Sequence, residues 1–428
     1  MVHMPDREPK EIASSLFGDH SAEVLDHLRG AVATIIQAVP ELPSPRPVDI
    51  AERLGIDSKL AWKIANVIDG GDPFRAAQYV PGTAAFRIFL RAAANRNVPK
   101  ALIASAKAAF GSYRDLVDTH AGSRPAFDMM LAGHAQEDCT RADLDHRRLM
   151  FLGSSYVWGL QARVVLRADL LAPSDDPMMF DAATIRGFID LRRLRPNVPW
   201  RIARGYSADD AGGIHTSFVR EPLAAELNGT SLMHEAPLMP AFCSKPLPEC
   251  RRVDAPGGTI DYELVEGAVG NTGILTCVTG ELLRRVEPRY RTGAYHDISQ
   301  MLRMRTPCEM VIFDVLIHRS LFGQRIEPKL VVFSDLFAEQ VGPRYRAGDI
   351  LPAQEQIEYL GMGLDVVGME DVDRYPEMVK CALDRGGWDA EQFDVFRVRM
   401  KYPAIPTNLV VTHDLPDPPP GMPQRQRA

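Results

Sequence analysis

The sequence predicts an α+β protein with two parts. An all-helical N-terminal domain is expected over residues 21–120, and a β-rich, largely antiparallel domain over residues 140–415. Two changes of pattern carry this division. Up to about residue 117, apolar residues recur every three or four positions, the period of a helix with one buried face. From residue 156 onward they fall on alternate positions, the period of a half-buried strand. A third observation closes the chain: the segment 416–428 is rich in proline and is expected to be disordered.

The helices follow in order. Residues 1–20 are polar and carry Pro5 and Pro9, so a loose arm is expected. Ser21 is placed to cap a helix whose apolar positions are Val24, Leu28, Val32, Ile35, Ile36 and Val39. Pro40, Pro43, Pro45 and Pro47 punctuate the link that follows. Pro47 suits a first helical position, where its missing N–H is not needed. Val48, Ile50, Ala51 and Leu54 form a short apolar stripe, and Gly55 can supply the positive φ that ends this helix. Asp57 sits where an N-cap is wanted. Leu60, Ala61, Ile64, Val67 and Ile68 form the stripe of a second helix, stopped by Gly70-Gly71. Residues 73–79 read as helical, Pro81-Gly82 as a turn, and the Ala-rich stretches 83–95 and 99–117 as two more helices. Residues 120–125 read as a linker.

The stretch 47–69 resembles the helix-turn-helix of bacterial transcription regulators. A small residue, Ala51, stands where two helices must cross closely. Gly55 follows four residues later in the turn, then the apolar Ile56, and Ala61 and Ile64 take the inward positions of the second helix. The resemblance implies a DNA-binding regulator that binds double-stranded DNA as a homodimer, since paired half-sites multiply the affinity of one motif. It implies that residues 58–66 enter a major groove. Ser58, Lys59, Lys63 and Asn66 would then face outward, Asn66 towards adenine and the lysines towards phosphates or guanine. A winged-helix protein would continue into a β-hairpin after Gly71, and this sequence continues into helices. From residue 70 to 124 there are eight Lys and Arg against three Asp, a local basic excess. The motif itself is slightly acidic.

The β-rich part begins after a short helix expected over 140–152, with Asp143 in the position of a capping-box acid. Tyr156, Trp158, Leu160, Ala162, Val164 and Leu166 alternate as in a strand. Ile185, Gly187, Ile189 and Leu191 alternate again. Residues 205–258 are rich in Gly, Pro and Ser and are expected to be long loops. Strands are expected at 259–265, 273–279, 310–317 and 329–334; the last two are nearly continuous apolar runs, which suits central strands. Residues 295–304 read as a helix between them, and 373–385 as a second helix ended by Gly386-Gly387. Phe396, Val398, Met400 and Tyr402 share one face of a further strand, and 408–412 is the last.

No catalytic set emerges from the sequence. Gly153-Ser154-Ser155-Tyr156-Val157 lacks the second Gly of a nucleophile elbow. Gly267, Gly270 and Gly273 have the wrong spacing for a dinucleotide fingerprint and read as turn glycines. Cys243 and Cys250 are too far apart for a zinc knuckle, and no CxxC pair exists, so no metal and no cofactor is expected. His234-Glu235, His296-Asp297 and His413-Asp414 are His–acid neighbours, which point to opposite faces if they lie on strands. His215 and His318 are the other histidines that such a site would recruit. Arginines gather at 192, 193, 195, 201 and 204, at 284, 285, 289 and 291, and at 303 and 305, beside Trp200 and Tyr290. Such a set fits phosphate, carboxylate or single-stranded nucleic acid, and equally fits strand outer faces paired with acids.

Composition bounds the rest. The 428 residues suffice for two or three domains, and 46% hydrophobic with 25% charged residues is ordinary for a globular chain. A formal net charge of −7 means that any nucleic-acid face must be local. Six cysteines without dense spacing argue against a disulfide scaffold, and no apolar run reaches the length of a membrane span. A cytoplasmic protein is expected from the lack of a membrane-length apolar run and of a visible signal sequence. The function expected is a transcriptional regulator whose C-terminal domain senses a small-molecule effector or mediates assembly. Two other readings stand beside it: an enzyme with its site on the C-terminal sheet, and a scaffold whose helices dock another protein.

Overall fold

A computed structural model describes residues 9–42, 44–69, 72–132, 139–206, 219–224, 236–255, 259–292, 296–322, 326–334 and 347–420. The chain divides into two compact units, Met1–Asp143 and Leu144–Ala428. It is mixed α+β, with helices and large antiparallel and mixed sheets.

The described elements of the first unit are helices: α1 (Pro9–Gln37), α2 (Pro47–Leu54), α3 (Ser58–Asp69), α4 (Pro73–Ala77), α5 (Thr83–Asn95), α6 (Lys100–His120) and α7 (Arg124–Ala132). Helix α8 (Cys139–Trp158) spans the boundary between the units. Leu25, Leu28, Val32, Ile35 and Ile36 form the buried stripe of α1, and Ala106, Ala109, Phe110, Tyr113 and Leu116 that of α6. Phe86 of α5 stacks on Phe110 with ring centroids 4.2 Å apart. Two expectations are corrected here. Ser21 does not cap a helix; α1 runs continuously from Pro9, and the Ser21 side chain is fully buried within it. Residues 120–125 are not a free linker, because α7 starts at Arg124. That arginine is held by carbonyl groups at the end of α4: it donates to Ala77 O at 2.6 Å and Val80 O at 3.1 Å, while Asp128 accepts from its Nε at 2.7 Å. One of the basic residues counted above is therefore structural.

The second unit carries fourteen strands among its described residues. They are β1 (Leu160–Pro173), β2 (Met179–Arg193), β3 (Trp200–Tyr206), β4 (Val219–Pro222), β5 (Cys250–Ala255), β6 (Thr259–Leu264), β7 (Leu275–Pro288), β8 (Asp297–Met304), β9 (Cys308–His318), β10 (Lys329–Ser334), β11 (Ile350–Leu351), β12 (Glu358–Met362), β13 (Phe393–Lys401) and β14 (Thr407–Asp414), with helix α9 (Tyr375–Gly386) before β13. A seven-stranded sheet has the order β12-β13-β9-β1-β2-β7-β4; only its β1–β9 pair is parallel. A four-stranded sheet has the order β11-β10-β14-β8, and a three-stranded sheet the order β3-β6-β5.

Three sequence expectations fail in this unit. The alternation from Tyr156 does not begin a strand: α8 continues to Trp158, Gly159 at φ 75° ends it, and β1 starts at Leu160. Of the helix expected over 295–304, residues 297–304 are instead β8, which pairs along its length with β14, and residue 295 lies outside the described residues. Ile298, Leu302 and Met304 fit both periods at this length, and pairing decides between them. The stretch 205–258 is not all loop, since it contains β4, β5 and the end of β3; residues 207–218, 225–235 and 256–258 lie outside the described residues. Of the tail expected at 416–428, residues 421–428 lie outside them too.

The large sheet buries both faces. Val164, Leu166, Ala168 and Leu170 of β1 pack with Ile312 and Leu316 of β9 and with Tyr375, Met378 and Val379 of α9. Val165 and Leu171 of β1, Phe313 and Val315 of β9, and Val398 and Met400 of β13 turn to the other side. There they meet Ile260 and Tyr262 of the three-stranded sheet and Ile298, Leu409 and Val411 of the four-stranded sheet. This is why β9 reads as a nearly unbroken apolar run.

A buried ion pair ties the helix side together. Asp314 and Arg397 face each other in register on β9 and β13. Arg397 donates from Nε to Asp314 Oδ1 at 2.8 Å and from Nη2 to Oδ2 at 2.7 Å, and also to Val367 O at 2.7 Å. The Tyr375 hydroxyl donates to Asp314 Oδ2 at 2.7 Å. Replacing Asp314 with Ala leaves a desolvated guanidinium without its partner, and should cost about 3–5 kcal/mol. Urea denaturation of the full chain checks this. The double change Asp314→Leu, Arg397→Met should cost much less than the two single changes together, because no buried charge is then left alone.

Candidate functional site

Helices α2 and α3 form the first candidate. Gly55 ends α2 at φ 65° and ψ 40°, a left-handed cap whose N–H bonds to Ala51 O. The Ile56 N–H reaches the same carbonyl at 3.1 Å. Asp57 Oδ1 accepts the Lys59 N–H at 2.9 Å and so caps α3. Ile50 and Leu54 of α2 and Leu60, Ala61, Ile64 and Val67 of α3 are buried, which leaves the other side of α3 to solvent. Ser58, Lys59 and Lys63 are exposed on that side. Asn66 is half-buried, and its Nδ2 donates to Trp62 O at 2.7 Å, one turn back in its own helix. Trp62 is 49% exposed and meets Tyr79 edge to face, with centroids 5.3 Å apart.

The histidines give no comparable arrangement. His413 is buried beside Phe322, with ring centroids 4.8 Å apart, and burial lowers its pKa to about 4. His234-Glu235 and His215 lie outside the described residues. No group of three His, Cys, Asp or Glu side chains suited to a metal occurs among the described residues. No helix among them is long and apolar enough to cross a membrane.

The second candidate is a cavity of about 560 Å³ within the second unit, between the inner face of the large sheet and strands β3 and β8. Its floor is Val165 and Arg167 of β1, Ala182, Thr184, Arg186 and Phe188 of β2, and Glu287 of β7. Arg201, Ile202 and Arg204 of β3 line it, as do residues 299–304 of β8 with Arg305 and Thr306. Arg220 of β4 completes the wall. A bulge shapes one end. Phe180 pairs with Glu287 and Ala182 with Leu283, so four residues of β7 span what two residues of β2 span. Arg285 takes up the excess at φ 55°, its N–H donating to Asp181 Oδ1 at 2.8 Å. Such a bulge re-aims the side chains that follow it.

Seven arginines line this cavity. Arg167 donates from Nε to Asp169 Oδ2 at 2.7 Å, and Asp169 also accepts the Thr184 hydroxyl at 2.9 Å. Arg167 further donates to the Met301 carbonyl and lies over the Phe313 ring, 5.4 Å from its centroid. Arg220 binds both oxygens of Glu281. Arg201 and Arg204 share the single carboxylate of Asp261. Arg186 stands opposite Arg167 in register, yet its guanidinium makes no hydrogen bond or ion pair among the described residues. Burial, and then the charge of Arg167, lower its pKa, while Glu281 and Asp169 act the other way. Glu287 also lacks a partner among the described residues; burial, and then the charge of Asp169, push its pKa up to about 7.

The sequence located part of this. Arg201, Arg204, Arg303 and Arg305 belong to the noted arginine clusters and do line the cavity. Arg284 and Arg285 fit the alternative account: they pair with Asp181 and Asp175. Arg167, Arg186, Arg220 and Glu287 were missed. The signal for Arg167 and Asp169 was a pair of charges at alternate positions inside the apolar run of residues 164–172. Comparison with family models, with curated proteins and with solved structures gives no match.

Two outcomes test these sites. Gly55→Val should weaken the α2–α3 pair by about 1–2 kcal/mol through backbone strain alone, since no atom lies within 4 Å of a Cβ added there. Hydrogen exchange across α2 and α3 reads this separately from the second unit. The other concerns pH. The raised pKa of Glu287 stabilises the fold fully below the unfolded value of about 4.3, and that stabilisation is lost as pH rises through about 7. Wild type should therefore lose stability relative to Glu287→Gln between about pH 5 and pH 8, read from melting curves of both proteins across that range. Parallel melting curves would show that Glu287 stays ionised in the fold.

Proposed function

We propose that this chain is a DNA-binding transcriptional regulator of the cytoplasm, acting as a homodimer, in which α3 enters a major groove and the second unit senses a small molecule. The carrying observation is the α2–turn–α3 arrangement. A left-handed glycine and an aspartate cap hold two short helices together, and Ser58, Lys59 and Lys63 stand clear on the solvent side of α3. Lys59 and Lys63 are four residues apart and share one helix face. Their ammonium groups suit phosphate oxygens flanking a groove. Ser58 opens the helix, where N-terminal side chains of a recognition helix reach base edges.

Two features qualify how the face would be used. Asn66 presents both a donor and an acceptor to adenine only after its bond to Trp62 O is released. Trp62 is fixed by Tyr79 on the same outward side, so it would meet sugar or a thymine methyl and not leave the interface. Further positive charge is available in the same unit. Arg87 and Arg91 are exposed on α5, and Lys100, Lys107 and Arg114 lie at seven-residue spacing along an exposed face of α6.

The double change Lys59→Ala, Lys63→Ala should weaken binding to the DNA upstream of the protein's own coding region. It should also reduce the slope of log affinity against log salt by up to about two. Folding should be almost unchanged, because both side chains are exposed and Ala favours helix. Gel-shift titrations at several salt concentrations, with circular dichroism as control, decide it. A wild-type protein with no salt-dependent binding to that DNA would end this reading.

A further inference from the structure

We propose that the cavity between the sheets of the second unit is a binding site for a small phosphate-bearing molecule of nucleotide size, with Arg186 as its anchor. The site does not depend on DNA binding; it gives the sensing role a location and a ligand chemistry.

The argument starts from charge. Arg167, Arg186 and Arg220 stand along one wall, and the carboxylates near them are Asp169 and Glu281. Asp169 is held by Arg167 and Thr184, and Glu281 by Arg220. Among the described residues, three guanidinium groups therefore meet two carboxylates, and Arg186 is the one left over. A desolvated cation without a partner is costly, and proteins retain one where something else supplies the counter-charge. The facing wall adds Arg201 and Arg204, which both donate to Asp261. A phosphate suits such an arginine-lined cavity better than a monocarboxylate, because it offers several oxygens and more than one negative charge to planar guanidinium forks.

Space and the remaining lining fit the rest of such a ligand. The volume of about 560 Å³ exceeds what phosphate alone would fill. Phe188, Ile202 and Leu302 provide apolar surface for an uncharged body. Glu287 lies six residues along the strand from Arg186, since it pairs with Phe180. That is on the order of 20 Å at the rise of a strand, too far for it to neutralise the anchor. With its pKa raised to about 7, its carboxyl is available in neutral form to donate a hydrogen bond to a hydroxyl or ring nitrogen.

The test is isothermal titration of the full chain with AMP, with pyrophosphate and with benzoate, using wild type, Arg186→Gln and Arg186→Lys. AMP should bind saturably with a Kd of about 1 mM or tighter. Arg186→Gln should weaken it about tenfold or more, the loss of a charge-assisted pair. Arg186→Lys keeps the charge without the fork and should fall between. Without ligand, Arg186→Gln should melt no lower than wild type, because the Arg186 side chain holds no group of the described residues in place. AMP binding more tightly than pyrophosphate supports a nucleotide; pyrophosphate binding alone, with the same dependence on Arg186, supports phosphate as the recognised group without the nucleoside. The proposal is overturned if neither phosphate compound binds, if benzoate binds as tightly as both, or if Arg186→Lys and Arg186→Gln bind as wild type does. If Arg186→Gln does not fold, Arg186→Lys decides alone. Gel shifts of ligand-free Arg186→Gln should match wild type, so failure here is separable from failure of the DNA-binding reading.

Discussion

Asp314 sits on β9, near the middle of a sheet whose two faces are both covered, and its carboxylate is fully buried. A charge in that position is tolerable only with every oxygen satisfied. Arg397 from β13 and the hydroxyl of Tyr375 from α9 satisfy them, and a third Arg397 bond, to Val367 O, fixes the segment before α9. One carboxylate thus sets where a strand, a helix and a connection meet. With α9 so placed, one face of the sheet is closed, and the opposite face is left to the two smaller sheets.

That opposite face is where the structure departs from a purely apolar core. The centre of its floor carries Arg167, Asp169, Thr184, Arg186 and Glu281, flanked by Val165, Leu171 and Ala182. A well-packed hydrophobic replacement of such a group is commonly neutral or stabilising, so buried charge is weak evidence for stability. It is better evidence for a site. Local rules of core composition are broken together in one place, beside a cavity, and the violation includes a cation and a carboxyl without partners among the described residues.

The helix pair α2–α3 obeys its local rules throughout. Pro47 opens it and Gly55 turns it through their backbone preferences, and Asp57 caps α3 through its side-chain oxygen. The surface it presents is small and mixed. Two lysines, a serine and a tryptophan held by Tyr79 share one face, and Asn66 is turned back onto its own helix. Any recognition there leans on charge for affinity and on few side chains for specificity.

Where the periods were long and the breakers clear, the sequence alone determined the elements. It determined the left-handed turn at Gly55, the helix ended at Gly387, and the alternation of Phe396, Val398 and Met400, because these depend on φ preference and on residues adjacent in the chain. It misread residues 295–304, whose apolar spacing suits helix and strand alike, and residues 156–158, where an exposed apolar end of a helix imitated a strand. Only the tertiary structure decided the cavity. Arg186, Arg220 and Glu287 come to line one cavity through pairings of β2, β4 and β7, strands far apart in the chain, shifted by a bulge at Arg285. Whether an arginine is neutralised depends on which acids those pairings bring near, and sequence spacing holds no record of it.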